Sequence, residues 1–243
     1  MDIITLFRAW YTHRYLVCNN ELEHVPEEKD LGVTIDGELN FDEHISRKAR
    51  IANGIVGQIR RSFSYLDCET FRRIFTAFVR PHLEYCQAVW SPHLLRNVDR
   101  LENVQIRATK LVDGLACLDY PERLKHLNLP TLAFRRRRGD MIEVYKHFNS
   151  YDRATLAPSF NPRERSSRQH GYQLIPPKAD DGARGIQTNS FYHRVAQTWN
   201  NLPKKVVEAE TIDAFKNALD EHWKDDPMKF DHLSLRRVTE EED

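Results

Sequence analysis

The strongest signal in the chain is a change of hydrophobic period at Asp42. From there Ile45, Ala49, Ala52, Val56, Ile59 and Phe63 recur at steps of 4, 3, 4, 3 and 4, which predicts one amphipathic helix over 42–63. A second helix is expected to begin at Asp67, a good N-cap residue, with Phe71, Phe75, Phe78, Tyr85 and Val89 inward and a kink at Pro81. A third covers 96–113, striped by Leu101, Val104, Ala108 and Leu111 and closed by Gly114. A short helix at 121–127 leads to Leu129-Pro130. The next spans 131–148, with Phe134, Met141, Tyr145 and Phe148 on one side. Two more are expected, from Ser190 to Trp199 and from Ile212 to Trp223.

Before Asp42 the pattern is extended. YLVCN (15–19) and the β-branched DLGVTID (30–36), with a turn signal at Asp36-Gly37, predict a small antiparallel pair. Two strands alone are marginal in water, which hints that the segment once belonged to a larger sheet. Residues 150–189 carry Pro158, Pro162, Pro176 and Pro177 among Ser, Arg and Gly, and predict a long irregular connection. It has room for a short hairpin pairing 172–175 with 184–187. The expected architecture is mainly α: a helical bundle with a small N-terminal β-hairpin and this irregular connection. Its segments are 1–41 (residual strands), 42–149 (helical domain), 150–189 (connection), 190–224 (C-terminal helices) and 225–243 (a charged, frayed tail).

Composition narrows the class. The 243 residues are 40% apolar and 30% charged, a globular composition. No apolar run is long enough to span a bilayer, and the N-terminus lacks the order of a signal peptide. Cys18, Cys68, Cys86 and Cys117 follow neither a disulfide framework nor a zinc spacing. They fit a reducing compartment, so an intracellular protein, nuclear or cytoplasmic, is expected. The zero net charge hides an asymmetry: residues 44–139 hold 18 basic and 8 acidic side chains, whereas residues 1–43 hold 3 and 10. The positive block predicts a local polyanion-facing surface, or merely helices that use Arg to keep one face wet.

Two basic features stand out. On the predicted helix 42–63, Arg47, Arg50, Gly54, Gly57 and Arg61 fall within about 80° of one another, opposite the apolar stripe. Glycine in a helix interior costs ~1 kcal/mol, so two on one exposed face call for a close backbone approach. That approach is by a sugar-phosphate chain flanked by guanidiniums, or by another helix; the bland alternative is a wet charged face. The run Arg135, Arg136, Arg137 and Arg138 sweeps 300° of helix and cannot all face one ligand. It reads as a phosphate contact, a nuclear-import-type patch, or a solvated helix start with buried stems.

Catalytic constellations are not evident. Two-metal phosphoryl transfer needs clustered carboxylates, and the adjacent aspartates Asp180-Asp181 and Asp225-Asp226 lie in a loop and in the tail. There is no Gly-rich phosphate loop, GxSxG or HExxH motif. His82 and Cys86 stand one turn apart without a second pair and read as core residues. Trp90, Trp199 and Trp223 read as packing anchors. No catalytic residue, metal site or cofactor is expected.

The order of segments resembles a known family. EKDLGVTIDGELNFDEHI (28–45), IRRSF (59–63), VRPHLEYCQAVWSP (79–92), LENVQIRATKLV (101–112), LPTLAFRRRRGDMIEVYK (129–146) and SFYHRVAQTWNNLPKKVVEAETIDAFKNALDEHW (190–223) are similar, in that order, to the part of non-LTR retrotransposon reverse transcriptases that follows the polymerase palm. The match runs over about residues 15–224, and residues 1–13 match nothing in the family. The resemblance implies the end of a palm, a helical thumb and a C-terminal extension. It also implies an RNA-directed DNA polymerase relative whose aromatic-x-Asp-Asp motif is not in this chain. The implied partner is a template–primer duplex, preferably an RNA–DNA hybrid, with the palm and fingers of a full polymerase as a second partner and no membrane. The helix 42–63 would track the duplex through Arg47, Arg50, Gly54, Gly57 and Arg61, with Arg135, Arg136 and Arg137 secondary. The rival expectation is a helical protein-interaction module without nucleic-acid binding, marked by an exposed apolar patch.

Overall fold

The computed structural model describes residues 16–17, 20–21, 25–149, 172–175 and 190–234. The fold is mainly helical with a small antiparallel β element at its N-terminal end. Strands β1 (Leu16–Val17) and β2 (Asn20–Glu21) pair with each other, and β3 (Glu27–Asp30) pairs with β4 (Val33–Asp36). The expected pairing of 15–19 with 30–36 is therefore replaced by two local hairpins. DLGVTID is itself the second half of one of them: Leu31 and Gly32 both take positive φ, 44° and 85°, the backbone of a two-residue turn matched to strand twist. Asp36 does not open a hairpin. Its carboxylate accepts the backbone N–H groups of Glu38, Asn40 and Phe41 at 3.1, 3.0 and 2.6 Å and folds the chain into the first helix.

That helix, α1 (Asp42–Ser62), buries Ile45, Ala49, Ala52, Val56 and Ile59, the expected stripe. Phe63 lies just past its end and is exposed. Helix α2 (Cys68–Ile74) begins as expected: the Asp67 carboxylate accepts the N–H groups of Glu69 and Thr70. Its inward face differs from expectation. Phe71 and Phe75 are buried, but Phe78, Tyr85 and Val89 are exposed, and Val79, Leu83 and Trp90 are buried instead. The cause is a π turn at Phe75–Val79, closed by the Arg80 N–H on the Phe75 carbonyl. One extra residue in the turn rotates everything after it, so the inward positions become 71, 75, 79 and 83. The wide turn sits directly before Pro81, which enters the first turn of α3 (Arg80–Glu84), where its missing N–H is harmless.

Helix α4 (Gln87–Trp90) follows, and α5 (Leu95–Thr109) buries Leu101, Val104 and Ala108. It stops at Lys110, before the expected Gly114, because the buried Arg123 caps its last turn. That guanidinium donates to the Thr109 hydroxyl, the Leu118 carbonyl and the Ile106 carbonyl. Helix α6 (Tyr120–Leu127) starts on an Asp119 cap and ends at Asn128 with φ 48°. Helix α7 (Leu132–Asn149) then leads, beyond the connection, to α8 (Phe191–Asn200), α9 (Lys204–Val207) and α10 (Ile212–His222). Of the hairpin expected in the connection, 172–175 carries no strand and 184–187 lies outside the described residues. The tail is not frayed from its start: Pro227–Lys229 form a 3₁₀ turn whose Met228 and Lys229 carbonyls accept the Thr131 hydroxyl and N–H at 2.7 and 2.9 Å.

Two apolar clusters result. One gathers residues from Val33 to Leu132, including Trp90; the other gathers residues from Phe134 to Trp223, including Trp199. Helix α7 begins in the first and runs through the second, with Phe134, Met141, Tyr145 and Phe148 buried as expected. Its N-terminus is held by a buried carboxylate. Glu102 accepts the Leu132 N–H at 3.1 Å and the Tyr120 hydroxyl at 2.5 Å. Gln105 donates to the Tyr120 oxygen and to the Pro130 carbonyl. Burial, and next the Glu102 charge, push the Tyr120 phenol well above its ordinary value. Glu102→Ala leaves Tyr120 and Leu132 without an acceptor and removes the opposite charge that acts most strongly on the buried Arg136, so it should destabilise the fold by about 3 kcal/mol in urea melts. Tyr120→Phe should lose about 1 kcal/mol.

Candidate nucleic-acid interface

The α1 ridge faces outward. Arg50, Gly54 and Arg61 are exposed, and Arg47 and Gly57 are half-buried. A Cβ built on Gly54 meets nothing within 4 Å, and one on Gly57 meets only the Arg61 guanidinium at 3.6 Å. No internal contact therefore requires either glycine, and the helix–helix explanation for them does not apply within the described residues. Arg50 and Arg61 have no charged partner among the described residues, so their guanidiniums are available to an external anion. Arg47 differs: it donates to the Thr34 hydroxyl at 2.7 Å, tying the end of the ridge to β4.

That tie has a buried neighbour. The Thr34 N–H donates to Nδ1 of His44 at 3.0 Å, so the proton of the neutral ring sits on Nε2, which is buried without a partner. The ring lies against Trp90 with centroids 5.2 Å apart. Burial, then the charges of Lys48 and Arg47, lower the His44 pKa from 6.5 to about 4.

The arginine run behaves differently from the ridge. Arg135 pairs with Glu84 of α3, Arg137 with Asp226, and Arg138 with Asp220 of α10. Arg137 also stacks on Trp223, 4.3 Å from the ring centroid. Arg136 is 4% exposed, among the charges of Glu102, Asp140 and Glu84. Arg135, Arg137 and Arg138 each reach a different part of the chain, as the 300° sweep requires, and join α7 to the rest of the fold, whereas the buried Nη1 of Arg136 has no hydrogen-bond partner among the described residues. Arg135, Arg136 and Arg137 thus do not share a surface with one another or with the α1 ridge, and the nucleic-acid reading is left to α1. The next two residues continue the pattern. Gly139 leaves room for the Gln87 side chain: a Cβ there would sit 2.0 Å from its amide nitrogen, which donates to the Arg136 carbonyl, and would have to displace it. Asp140 receives two hydrogen bonds from Arg194, which also donates to the Ala88 carbonyl. Burial raises the Asp140 pKa, while the Arg194 guanidinium opposes it.

Two further features went unread in the sequence. Arg96, Arg100, Asn103, Arg107 and Lys110 form an exposed stripe along α5; their steps of 4, 3, 4 and 3 carry the same period as the apolar stripe of that helix. Beside the α1 ridge, an open cleft of about 300 Å³ is lined by Ile55, Gln58, Ile59, Ser62, Phe63, Ile74, Phe78 and His82. The π turn sets Phe78 there, 61% exposed. His82 is thus half-buried at the cleft, and Cys86 is exposed in a left-handed turn (φ 56°), so neither is the core residue expected. Among the described residues no group of three or more His, Cys, Asp or Glu is placed to hold a metal ion, and no helix is long and apolar enough to cross a membrane. Asp180-Asp181 lies outside the described residues.

No family model matches the chain, and no curated protein or solved structure matches it either.

Gly54→Ala fills open space in a regular helix and should stabilise the protein by about 1 kcal/mol, read as a higher urea midpoint. Gly139→Ala must displace Gln87 and should destabilise. For His44 the sign follows from its lowered pKa. Between pH 6.5 and about 4 the unfolded chain binds a proton that the folded chain does not. Stability from this residue is therefore complete above pH 6.5 and lost as pH falls toward 4, roughly 3 kcal/mol in all. Unfolding curves of wild type and His44→Gln, whose amide oxygen can accept the Thr34 N–H, should differ in slope over that interval.

Proposed function

We propose that this chain is a thumb-like relative of a retrotransposon RNA-directed DNA polymerase that binds a nucleic-acid duplex through its backbone and has no catalysis of its own. The observation that carries the reading is the combination on α1 of two unpaired guanidiniums with two glycines that no internal contact demands. A helix that forgoes ~1 kcal/mol at each of two positions on its outer face gains a shallow bed between cations, and a sugar-phosphate chain can lie in it. Arg50 and Arg61 are ~16 Å apart along the axis, far enough to hold different phosphates. Contacts of this kind fix orientation without reading bases, so binding is tolerant of sequence and sensitive to salt. The order of sequence blocks supports the same reading and favours an RNA–DNA hybrid over other duplexes.

Fluorescence anisotropy with a labelled RNA–DNA hybrid tests it. Affinity should fall at least tenfold between 50 and 200 mM salt and should be lost in Arg50→Glu/Arg61→Glu. Gly54→Leu should weaken binding while leaving stability at or above wild type. Weak binding that ignores salt, or no response to the double charge reversal, would exclude the reading.

A second reading is favoured by the neighbouring cleft. Its exposed apolar lining, Phe63 and Phe78, is suited to a protein partner, for which the chain would be a helical interaction module without nucleic-acid binding. Oligomers or complexes that persist after nuclease treatment and are lost in Phe78→Ser would favour this reading.

A further inference from the structure

Helices α1 and α5 make the most extensive helix–helix contact of the fold, and its register is fixed by polar pairs. Arg96 donates to Asp42 at 2.6 Å and Arg100 to Ser46 at 2.8 Å, and the partners in each pair are 54 residues apart. A constant offset along two successive turns means that the helices run parallel and level. Asn97 adds a third bond in the same register, to Asp42.

Both helices bury their inner sides in one cluster, Ile45, Ala49 and Ala52 from α1 and Leu101, Val104 and Ala108 from α5. Their exposed stripes consequently open on one surface. On α5, Arg96, Arg100, Asn103, Arg107 and Lys110 fall within about 80° of one another at 100° per residue, the same spread as the α1 ridge. Turning away from the line of the Asp42 and Ser46 contacts brings both stripes to the same side. With the offset of 54, Arg107 and Lys110 stand level with Asn53 and Val56, beside the stretch where Gly54 leaves α1 bare and the Arg61 guanidinium lies near Gly57. Where α1 lacks side chains, α5 supplies two cations. Arg107 and Lys110 are exposed and have no charged partner among the described residues.

The acidic groups do not cancel this charge. Asp42 and Glu43 sit at the N-terminal end of α1, and Asp42 is engaged by Arg96 and Asn97. Asp99 is half-buried at the edge of the α5 stripe, two turns or more before Arg107 and Lys110.

We propose that α1 and α5 form one phosphate-binding face, with Arg107 and Lys110 as its second wall and a nucleic-acid duplex as its occupant. This rests on the duplex-binding reading above and adds two contact residues that the resemblance does not supply. Helix axes in such a pair lie ~8–10 Å apart, so the glycine bed is walled by Arg50 and Arg61 along its length and by Arg107 and Lys110 along its flank. The match is to a regular polyanion, whose phosphates can meet cations on both helices together.

The test is the salt dependence of binding to the labelled hybrid duplex. Each phosphate contact removed lowers the slope of log K against log salt by about 1. Arg107→Gln/Lys110→Gln should therefore flatten the slope by about 2 and weaken binding about tenfold at 100 mM salt, with an unchanged urea midpoint, since both side chains are exposed. Lys125→Gln/Lys205→Gln, which removes two exposed lysines elsewhere, should leave the slope as in wild type. A wild-type slope in the α5 variant, with a flattened slope in Arg50→Gln/Arg61→Gln, overturns the second wall and spares the duplex reading. No salt-dependent binding by the wild-type chain overturns both. Polyglutamate competing as well as unlabelled duplex, charge for charge, overturns the assignment of a nucleic-acid occupant. Equal loss of single-strand and duplex affinity in the α5 variant overturns the double strand as that occupant.

Discussion

Four consecutive arginines in a helix impose a geometric condition on everything around them. Their side chains leave the axis in directions that sweep 300°, so a helix carrying them can be buried only if each charge meets its own partner in its own direction. Helix α7 meets this with Glu84, Asp220 and Asp226 for Arg135, Arg138 and Arg137, and only in part for the buried Arg136, which has the charges of Glu102 and Asp140 near it but no partner for its Nη1 among the described residues. Those partners belong to α3, α10, the turn after α10, α5 and α7 itself. Much of the tertiary arrangement is thereby specified by charge pairing about one axis. The apolar clusters on either side contribute the burial, but apolar contact alone leaves rotation of α7 weakly determined. A buried arginine with the wrong neighbour costs several kcal/mol, which is a far stronger orientation signal. The Tyr120–Glu102–Leu132 bonds and the Thr131 bonds to Met228 and Lys229 fix the axial position of the same helix.

The glycines show how much a residue's meaning depends on its surroundings. Gly54 and Gly139 are both mid-helix, and propensity treats them alike. Gly139 is explained by a side chain pressed against its Cα from a neighbouring helix, and its cost is offset by the Gln87 bond to the Arg136 carbonyl. Gly54 has open space where its Cβ would be. Folding accounts for the first and offers no account of the second. A cost that the fold does not recover is a reason to look outside the fold, and the two neighbouring unpaired guanidiniums narrow what to look for. The arginines divide in the same way: those of α7 are consumed in holding the chain together, whereas Arg50 and Arg61 leave their charge on the surface.

The legible parts of the sequence were those governed by local rules. The α1 stripe, the Asp67 cap and the inward face of α7 depend on period and on nearest backbone groups, and they appear where expected. The inward face after Phe75 did not, because one extra residue in a turn shifts the phase of all later positions and the sequence marks it only by Pro81. Leu31-Gly32 carries a weak turn signal because Leu is an unusual first residue for a φ of 44°; Asp36-Gly37, a better turn by composition, leads into α1 instead. The end of α5 was misplaced for a similar reason, since the residue that caps it, Arg123, lies 14 positions beyond Thr109. At the candidate site the ridge could be read from one helix. The α5 stripe could be read as well, but its alignment with α1 depends on two long-range pairs, Asp42 with Arg96 and Ser46 with Arg100, that no periodicity reports.

Scaffold and candidate interface are connected at two places. Arg50, Arg61, Arg107 and Lys110 pair with no charge among the described residues, so their loss leaves the packing of the fold intact, but Arg96 and Arg100 of the same surface hold α5 to α1. Arg47 is the second connection, because Thr34 holds it, and Thr34 is held in turn by His44, whose ring rests on Trp90. A proton on His44 would meet the Thr34 N–H donor to donor and stand near the charges of Arg47 and Lys48. The ring can accept it only by giving up the bond that fixes β4 to α1. The end of the ridge is therefore positioned by a neutral buried imidazole, and the hairpin, the first core and the cationic face are linked through that ring. A change at Thr34 that spares its backbone but removes its hydroxyl releases Arg47 alone, whereas protonation of His44 releases the strand that carries Thr34. The two perturbations separate the charge of the ridge from its anchorage.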